Sequence, residues 1–130
     1  MALIADLTDK LPIDETRIYL TGSSMGGSGS WNLATNYPGV FAAVVPLCGG
    51  GDPKKAEALK DTPIWAFHGD QDTEVPLERS KSMVDAIKAL GGEKVQFTIL
   101  EGEGHLIAGG VYARTDMPVW MFEQRLARAR

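Results

Sequence analysis

One serine in this sequence occupies a pattern that suits a nucleophile. Ser24 lies in Gly22-x-Ser24-x-Gly26, after a short apolar run and before residues 28–35, which we expect to form a helix. In a strand–turn–helix of this type, a strained backbone pushes the serine Oγ out over the end of a sheet. We expect glycines on both sides because such a turn is too tight for side chains. The pattern predicts a nucleophile elbow at Ser24, and the alternative is a glycine-rich turn that holds a serine by chance.

A serine hydroxyl needs a base within hydrogen-bond reach and a carboxylate that orients the base. The sequence offers two histidines, His68 and His105. In an open α/β sheet the reactive groups gather at the carboxyl ends of the strands. His105 lies in a glycine-rich loop beyond the last predicted strand, which favours it as the base. His68 ends the third predicted strand and is expected to hydrogen-bond the backbone of its loop.

Three carboxylates follow the third predicted strand and compete for the role of the acid. They are Asp70, Asp72 and Glu74. The order Ser24…Asp72…His105 is the chain order expected after a nucleophile elbow, and this order favours His105 over His68 as the base. Loop length and residue alternation do not separate Asp72 from its two neighbours, which are otherwise expected to be solvated or to form turns.

Four apolar runs alternate with amphipathic segments and predict the elements that position these residues. The predicted strands are 18–21, 41–47, 63–67 and 95–100, and the predicted helices are 3–11, 28–35, a short one ending near Lys60, 77–90 and 116–130. The last helix is expected to bury Val119, Trp120, Phe122 and Leu126. Strands and helices that alternate with short links predict an α/β fold. We expect one compact domain over residues 1–130, with a parallel sheet of about four strands between two helical layers.

The composition of the chain limits the classes of function that we expect for it. The chain has 130 residues, 44% hydrophobic residues and a net charge of −4, as is typical of a soluble globular domain. It has no basic cluster that would suggest nucleic acid and no apolar run of membrane-spanning length. Cys48 is the single cysteine, so an internal disulfide is excluded. We see no signal peptide at the N-terminus and expect a cytoplasmic protein.

Four ordered segments together resemble the C-terminal part of an α/β-hydrolase. They are RIYLTGSSMGG (17–27), PLCGGGD (46–52), PIWAFHGDQDTEVP (63–76) and GH (104–105). The resemblance is to esterases related to polyhydroxyalkanoate depolymerases, feruloyl esterases and prolyl-oligopeptidase-like hydrolases. It implies that Asp72, just before x-x-Val-Pro, is the triad acid, and that His68 has a structural role.

The resemblance implies a serine carboxylesterase that uses Ser24, His105 and Asp72 and needs no metal or organic cofactor. The backbone N–H of Met25, at the start of the following helix, is the expected oxyanion donor. A small, open site favours short-chain esters as substrates. The alternative is a hydrolase-fold module that lacks catalytic activity and associates with a partner that completes the sheet.

Hydrolases of this group usually carry a further N-terminal half, with more strands and a second oxyanion donor. This chain begins at the helix before the nucleophile strand. Residues 18–21 would then be an apolar edge strand, which invites pairing with another chain. We therefore expect a homo-oligomer that shields this edge.

Overall fold

A computed structural model describes residues 1–127 as a parallel sheet flanked by helices. The elements are α1 (Ala2–Lys10), β1 (Tyr19–Ser23), α2 (Met25–Asn36), β2 (Ala43–Leu47), a 3₁₀ helix (Pro53–Leu59), β3 (Ile64–Gly69), α3 (Glu78–Ala89), β4 (Val95–Leu100), α4 (Ala108–Tyr112) and α5 (Asp116–Glu123). The strands lie in the order β1-β2-β3-β4. The predicted α/β fold with a four-stranded parallel sheet is confirmed.

The sheet separates two hydrophobic cores because successive side chains of a strand point to opposite faces. In β2, where every residue is buried, Val44 belongs to one core and Val45 to the other. The first core draws on α2, α3 and the 3₁₀ helix, and includes Trp31, Ala34, Ala56, Leu59, Met83, Val84 and Ile87. The second draws on α4 and α5, and includes Ile107, Val111 and Met117. The helices therefore form a layer on each face.

The C-terminal segment differs from the prediction. Helix α5 ends at Glu123, and the chain becomes extended at Gln124. The prediction of a continuous helix over 116–130 is therefore wrong for residues 124–127. Residues 128–130 lie outside the described part of the chain. The Tyr19 hydroxyl donates to the carbonyl of Gln124 at 2.8 Å, and this contact with β1 holds the chain in its extended course. Val119 and Phe122 were expected to be buried, yet they are 59% and 54% exposed.

Two features bear on how the chain presents itself to other molecules. Strand β1 lies at one edge of the described sheet, as the sequence predicts, and pairs along its length with β2. The expected homo-oligomer stays a prediction. Within residues 1–127, no helix is both long enough and apolar enough to cross a membrane.

Candidate active site

Ser24 lies at the junction between β1 and α2. Its backbone has φ 59° and ψ −114°, a conformation that costs a non-glycine residue on the order of 1–3 kcal/mol. Two hydrogen bonds hold it there. The N–H of Ser24 donates to the carbonyl of Leu47 in β2, and the N–H of Ser28 donates to the carbonyl of Ser24, both at 3.0 Å. The predicted strand–turn–helix is present, and α2 begins at Met25 rather than at Ser28.

Close backbone approaches explain two of the glycines around Ser24. A Cβ on Gly22 would collide with the backbone of Gly26, and a Cβ on Gly27 would collide with the carbonyl group of Leu47. Gly26 differs, because a Cβ there would meet no heavy atom within 4 Å. The expectation that both positions flanking Ser24 exclude a side chain is therefore right for Gly22 and wrong for Gly26.

Ser24, His105 and Asp72 form an unbroken line of hydrogen bonds. Ser24 Oγ lies 2.7 Å from His105 Nε2, and His105 Nδ1 lies 2.7 Å from Asp72 Oδ2. An ionised carboxylate only accepts hydrogen bonds, so Nδ1 carries the ring proton and Nε2 is free to accept the proton of Ser24. The Asp72 side chain is fully buried, and that of His105 is 13% exposed. The arrangement can remove the hydroxyl proton as Oγ attacks an electrophile.

The loop that follows β3 holds the Asp72 carboxylate in place. Oδ1 accepts the backbone N–H groups of Glu74 at 2.9 Å and Val75 at 2.8 Å, which leaves Oδ2 for His105. Burial alone would raise the pKa of Asp72. The hydrogen bonds from Val75, His105 and Glu74 outweigh it, so the pKa of Asp72 lies below its ordinary value. The carboxylate is therefore ionised at neutral pH.

The geometry separates the three carboxylates that the loop sequence left open. Asp70 Oδ1 accepts the backbone N–H of Gly102 at 2.8 Å, which ties its loop to the one after β4. Glu74 Oε2 lies 3.2 Å from His105 Nε2, on the side of the ring that faces Ser24, and the side chain is 70% exposed. Asp72 alone among the three bonds to Nδ1.

His68 lies next to Asp72, with Nε2 3.3 Å from Asp72 Oδ2, and its hydrogen-bond partners do not include Ser24. Its side chain is fully buried, with Nδ1 2.7 Å from Ser80 Oγ and Nε2 2.7 Å from the carbonyl oxygen of Val75. The hydrogen bond to the loop backbone that the sequence predicts is present. The contact with Ser80, which lies on α3, joins this loop to the helix that follows it.

The start of α2 lies next to Ser24, and a cavity lies beside the residues that follow His105. The first N–H groups of a helix have no acceptor within the helix and form the positive end of its dipole. The N–H of Met25 is the first of these, and its role as oxyanion donor stays a prediction. A cavity of about 250 Å³ adjoins the His105 loop and is lined in part by Leu100, Leu106 and Val111.

Cys48 is a feature of the site that the sequence pattern did not indicate. It directly follows β2 with a φ of 39°, and its fully buried Sγ lies 3.5 Å from the carbonyl oxygen of His105. It supports the loop that carries the imidazole. A donor atom from each of Cys48, Asp72 and His105 lies within 4.8 Å of the others, a combination that can hold a metal ion. Asp72 and His105 are already paired with each other.

Comparisons with known proteins agree with this architecture. A solved thermostable esterase is 41% identical and has a TM-score of 0.92, over 95% of this chain and 35% of its own. Esterase PE8 is 26% identical with a TM-score of 0.70, over 84% of this chain and 52% of its own. The acyl-protein thioesterase 1 of Gibberella zeae is 34% identical over 79 residues, which cover 61% of this chain and 28% of that protein.

The chain spans about 30% of the length of the curated relatives that it matches. A family model described as phospholipase/carboxylesterase matches residues 1–112, which include Ser24, Asp72 and His105. These similarities agree with an esterase-type hydrolase. Because the match covers most of the sequence, the chain belongs to the phospholipase/carboxylesterase family of the α/β-hydrolases.

Proposed function

We propose that this protein is a serine carboxylesterase that hydrolyses short-chain esters through an acyl-enzyme at Ser24. The observation that carries the proposal is the line of hydrogen bonds from Ser24 through His105 to Asp72, with two contacts of 2.7 Å. Three separate loops contribute these residues, so their alignment requires the whole sheet. The strained backbone of Ser24 supports the same role, since strain of this kind is concentrated at functional sites.

The geometry suggests the order of proton transfers. Ser24 Oγ attacks the ester carbonyl carbon while its proton passes to His105 Nε2, and Asp72 stabilises the resulting imidazolium. The N–H of Met25 donates to the oxyanion of the tetrahedral intermediate. When the intermediate collapses, the alcohol leaves with the proton from Nε2 and the acyl group stays on Oγ. A water molecule, deprotonated by Nε2, then hydrolyses the acyl-enzyme.

Short acyl chains fit the surroundings of Ser24 better than long ones. The side chains next to the site in sequence, Met25 and Leu106, are 86% and 94% exposed. Such a surface offers few contacts along a long acyl chain, so chain length beyond the first carbons adds little binding energy.

The test is hydrolysis of acetyl, butyryl and palmitoyl aryl esters by the purified protein. We expect turnover of the acetyl and butyryl esters to exceed that of the palmitoyl ester. Ser24→Ala should abolish all three activities. Ser82→Ala is the matched control, because it also removes one serine hydroxyl but lies on α3, and it should leave the activities unchanged. Equal hydrolysis by wild type and Ser24→Ala would refute the proposal and favour a module that works by association.

A thioesterase activity is a second candidate, favoured by the 34% identity to an acyl-protein thioesterase. A thioester is attacked at the same carbonyl carbon, and the geometry around Ser24 does not select the leaving group. The oxygen ester and the thioester of the same short acyl group should be compared at equal concentration. A higher kcat/KM for the oxygen ester supports the carboxylesterase proposal, and the opposite order supports the thioesterase.

A further inference from the structure

The two ring nitrogens of His68 both face oxygen atoms. Nδ1 lies 2.7 Å from Ser80 Oγ. Nε2 lies 2.7 Å from the carbonyl oxygen of Val75 and 3.3 Å from Asp72 Oδ2. A carbonyl and an ionised carboxylate only accept hydrogen bonds, so Nε2 must carry a proton. The state of the ring then depends on what Nδ1 does toward Ser80.

The hydroxyl of Ser80 has one proton and two neighbours that compete for it. Its Oγ lies 2.8 Å from the carbonyl oxygen of Gly49, the usual distance for an O–H···O hydrogen bond. If Ser80 donated to His68 instead, two acceptor oxygens would lie 2.8 Å apart with no proton between them. Ser80 therefore donates to Gly49, and its lone pair accepts a proton from Nδ1. Both nitrogens of His68 are donors, and only the imidazolium has two N–H groups.

We propose that His68 is a buried imidazolium that pairs with the Asp72 carboxylate and fixes its orientation toward His105. His68 would then be a positioning residue of the proposed serine esterase, and its catalytic part rests on that proposed function. Groups from three elements lie next to the His68 ring. The loop after β3 contributes the Asp72 carboxylate and the Val75 carbonyl. Helix α3 contributes the neutral hydroxyl of Ser80, and β4 contributes Ile99, which is the register partner of His68. Asp72 is the ionisable group among them.

This pairing adds to the hydrogen bonds that keep the fully buried Asp72 carboxylate charged. A buried charge is tolerated when it is paired and its remaining lone pairs are hydrogen-bonded. Oδ1 of Asp72 accepts the two backbone N–H groups of Glu74 and Val75, and Oδ2 accepts His105 Nδ1–H. The His68 N–H donates to the Val75 carbonyl, and Nε2 lies 3.3 Å from Oδ2, within the distance of an ion pair. With His68 charged, the buried pair is neutral overall. Asp72 then accepts the hydrogen bond of His105 Nδ1–H in a fixed direction and stays ionised, so the proton remains on His105.

The protonation state can be read directly by NMR of the ¹⁵N-labelled 130-residue protein at neutral pH. With two histidines in the chain, His68→Gln assigns the ring signals by loss of one set. We expect both ring nitrogens of His68 at the chemical shifts of an imidazolium. A neutral tautomer of His68 would overturn the proposal. This measurement needs no catalysis, so its outcome is independent of whether the protein hydrolyses esters.

Ser80→Ala tests the positioning role while His68 is kept. The variant removes the acceptor of Nδ1–H, so we expect the ring to become neutral and kcat to fall about tenfold with little change in KM. Ser82→Ala, on the same helix, is the control and should change neither the ring signals nor kcat. If Ser80→Ala makes His68 neutral and kcat stays at the wild-type value, the positioning role is refuted.

Discussion

Replacement of the Asp72 carboxylate by an amide should misplace one proton in the site. In Asp72→Asn, the amide oxygen must take the place of Oδ1, because the backbone N–H groups of Glu74 and Val75 donate there. The amide NH₂ then faces His105 Nδ1, which lies 2.7 Å from Oδ2 in the native protein. Since NH₂ only donates, Nδ1 must accept and the ring proton moves to Nε2. Nε2 can then no longer take the proton of Ser24.

The size of the loss follows from this change of tautomer. Substitutions that leave a triad in place with the wrong histidine tautomer reduce kcat about 10⁴-fold. At about 1.4 kcal/mol per factor of ten, this corresponds to a barrier about 5.5 kcal/mol higher. Asp72 is separated from the reacting serine by His105, so we expect KM to change little and the loss to lie in kcat.

The assay is the kcat and KM of a short-chain aryl ester for the wild type, Asp72→Asn and Asp70→Asn. Asp70→Asn is the matched control, because an amide oxygen can still accept the backbone N–H of Gly102. We expect the control to keep the wild-type kcat. A loss of less than about tenfold in Asp72→Asn would refute the tautomer argument.

The other predictions concern stability. Gly27→Ala places a Cβ against the Leu47 carbonyl and should lower the free energy of unfolding by about 1–3 kcal/mol, whereas Gly29→Ala, whose Cβ meets nothing within 4 Å, should raise it by about 0.5–1 kcal/mol. Urea unfolding measures both, and a destabilised Gly29→Ala would contradict the reasoning. Because the pKa of Asp72 is lowered in the folded protein, the unfolded chain takes up its proton first as the pH falls. The stability from Asp72 should be complete above its ordinary value of 3.8 and lost as the pH falls through the folded value. Urea midpoints across this range should fall less steeply in Asp72→Asn, and equal slopes would argue against the lowered pKa.

Much of the fold was predictable because apolar runs of strand length are a strong signal. The run that contains β2 is apolar throughout, as a strand buried on both faces requires, and all five of its residues are buried. The alternation of strands with helices then required a parallel sheet. The elbow at Ser24 was predictable for a local reason, since its strand, turn and helix are consecutive in sequence.

What escaped prediction depends on contacts between distant residues. The early end of α5 is set partly by the Tyr19 hydroxyl, which lies 105 residues away in sequence from Gln124. Helix α4 contains two glycines in five residues, so its propensity is low and packing of Val111 in the second core stabilises it. The contact of Cys48 with the His105 loop likewise leaves no trace in sequence spacing.

The choice of Asp72 over Asp70 and Glu74 as the triad acid depends on both local and distant contacts. Each of Asp70, Asp72 and Glu74 is close enough in sequence to reach the site. The choice depends on how the loop turns, and Asp72 itself forms that turn by accepting the N–H groups two and three residues later. This is a local Asx-type interaction. Its effect on which oxygen faces His105 is visible only once the loops after β3 and β4 meet.

The most direct test of the proposed esterase is to trap the covalent intermediate. The protein is mixed with a short-chain aryl ester, quenched in acid within the first turnovers, digested and analysed by mass spectrometry. The acyl group should appear on the peptide that contains Ser24, and it should be absent from Ser24→Ala treated in the same way. Ester hydrolysis by the wild type with no acyl group on Ser24, or with the group on another residue, would contradict the proposed mechanism.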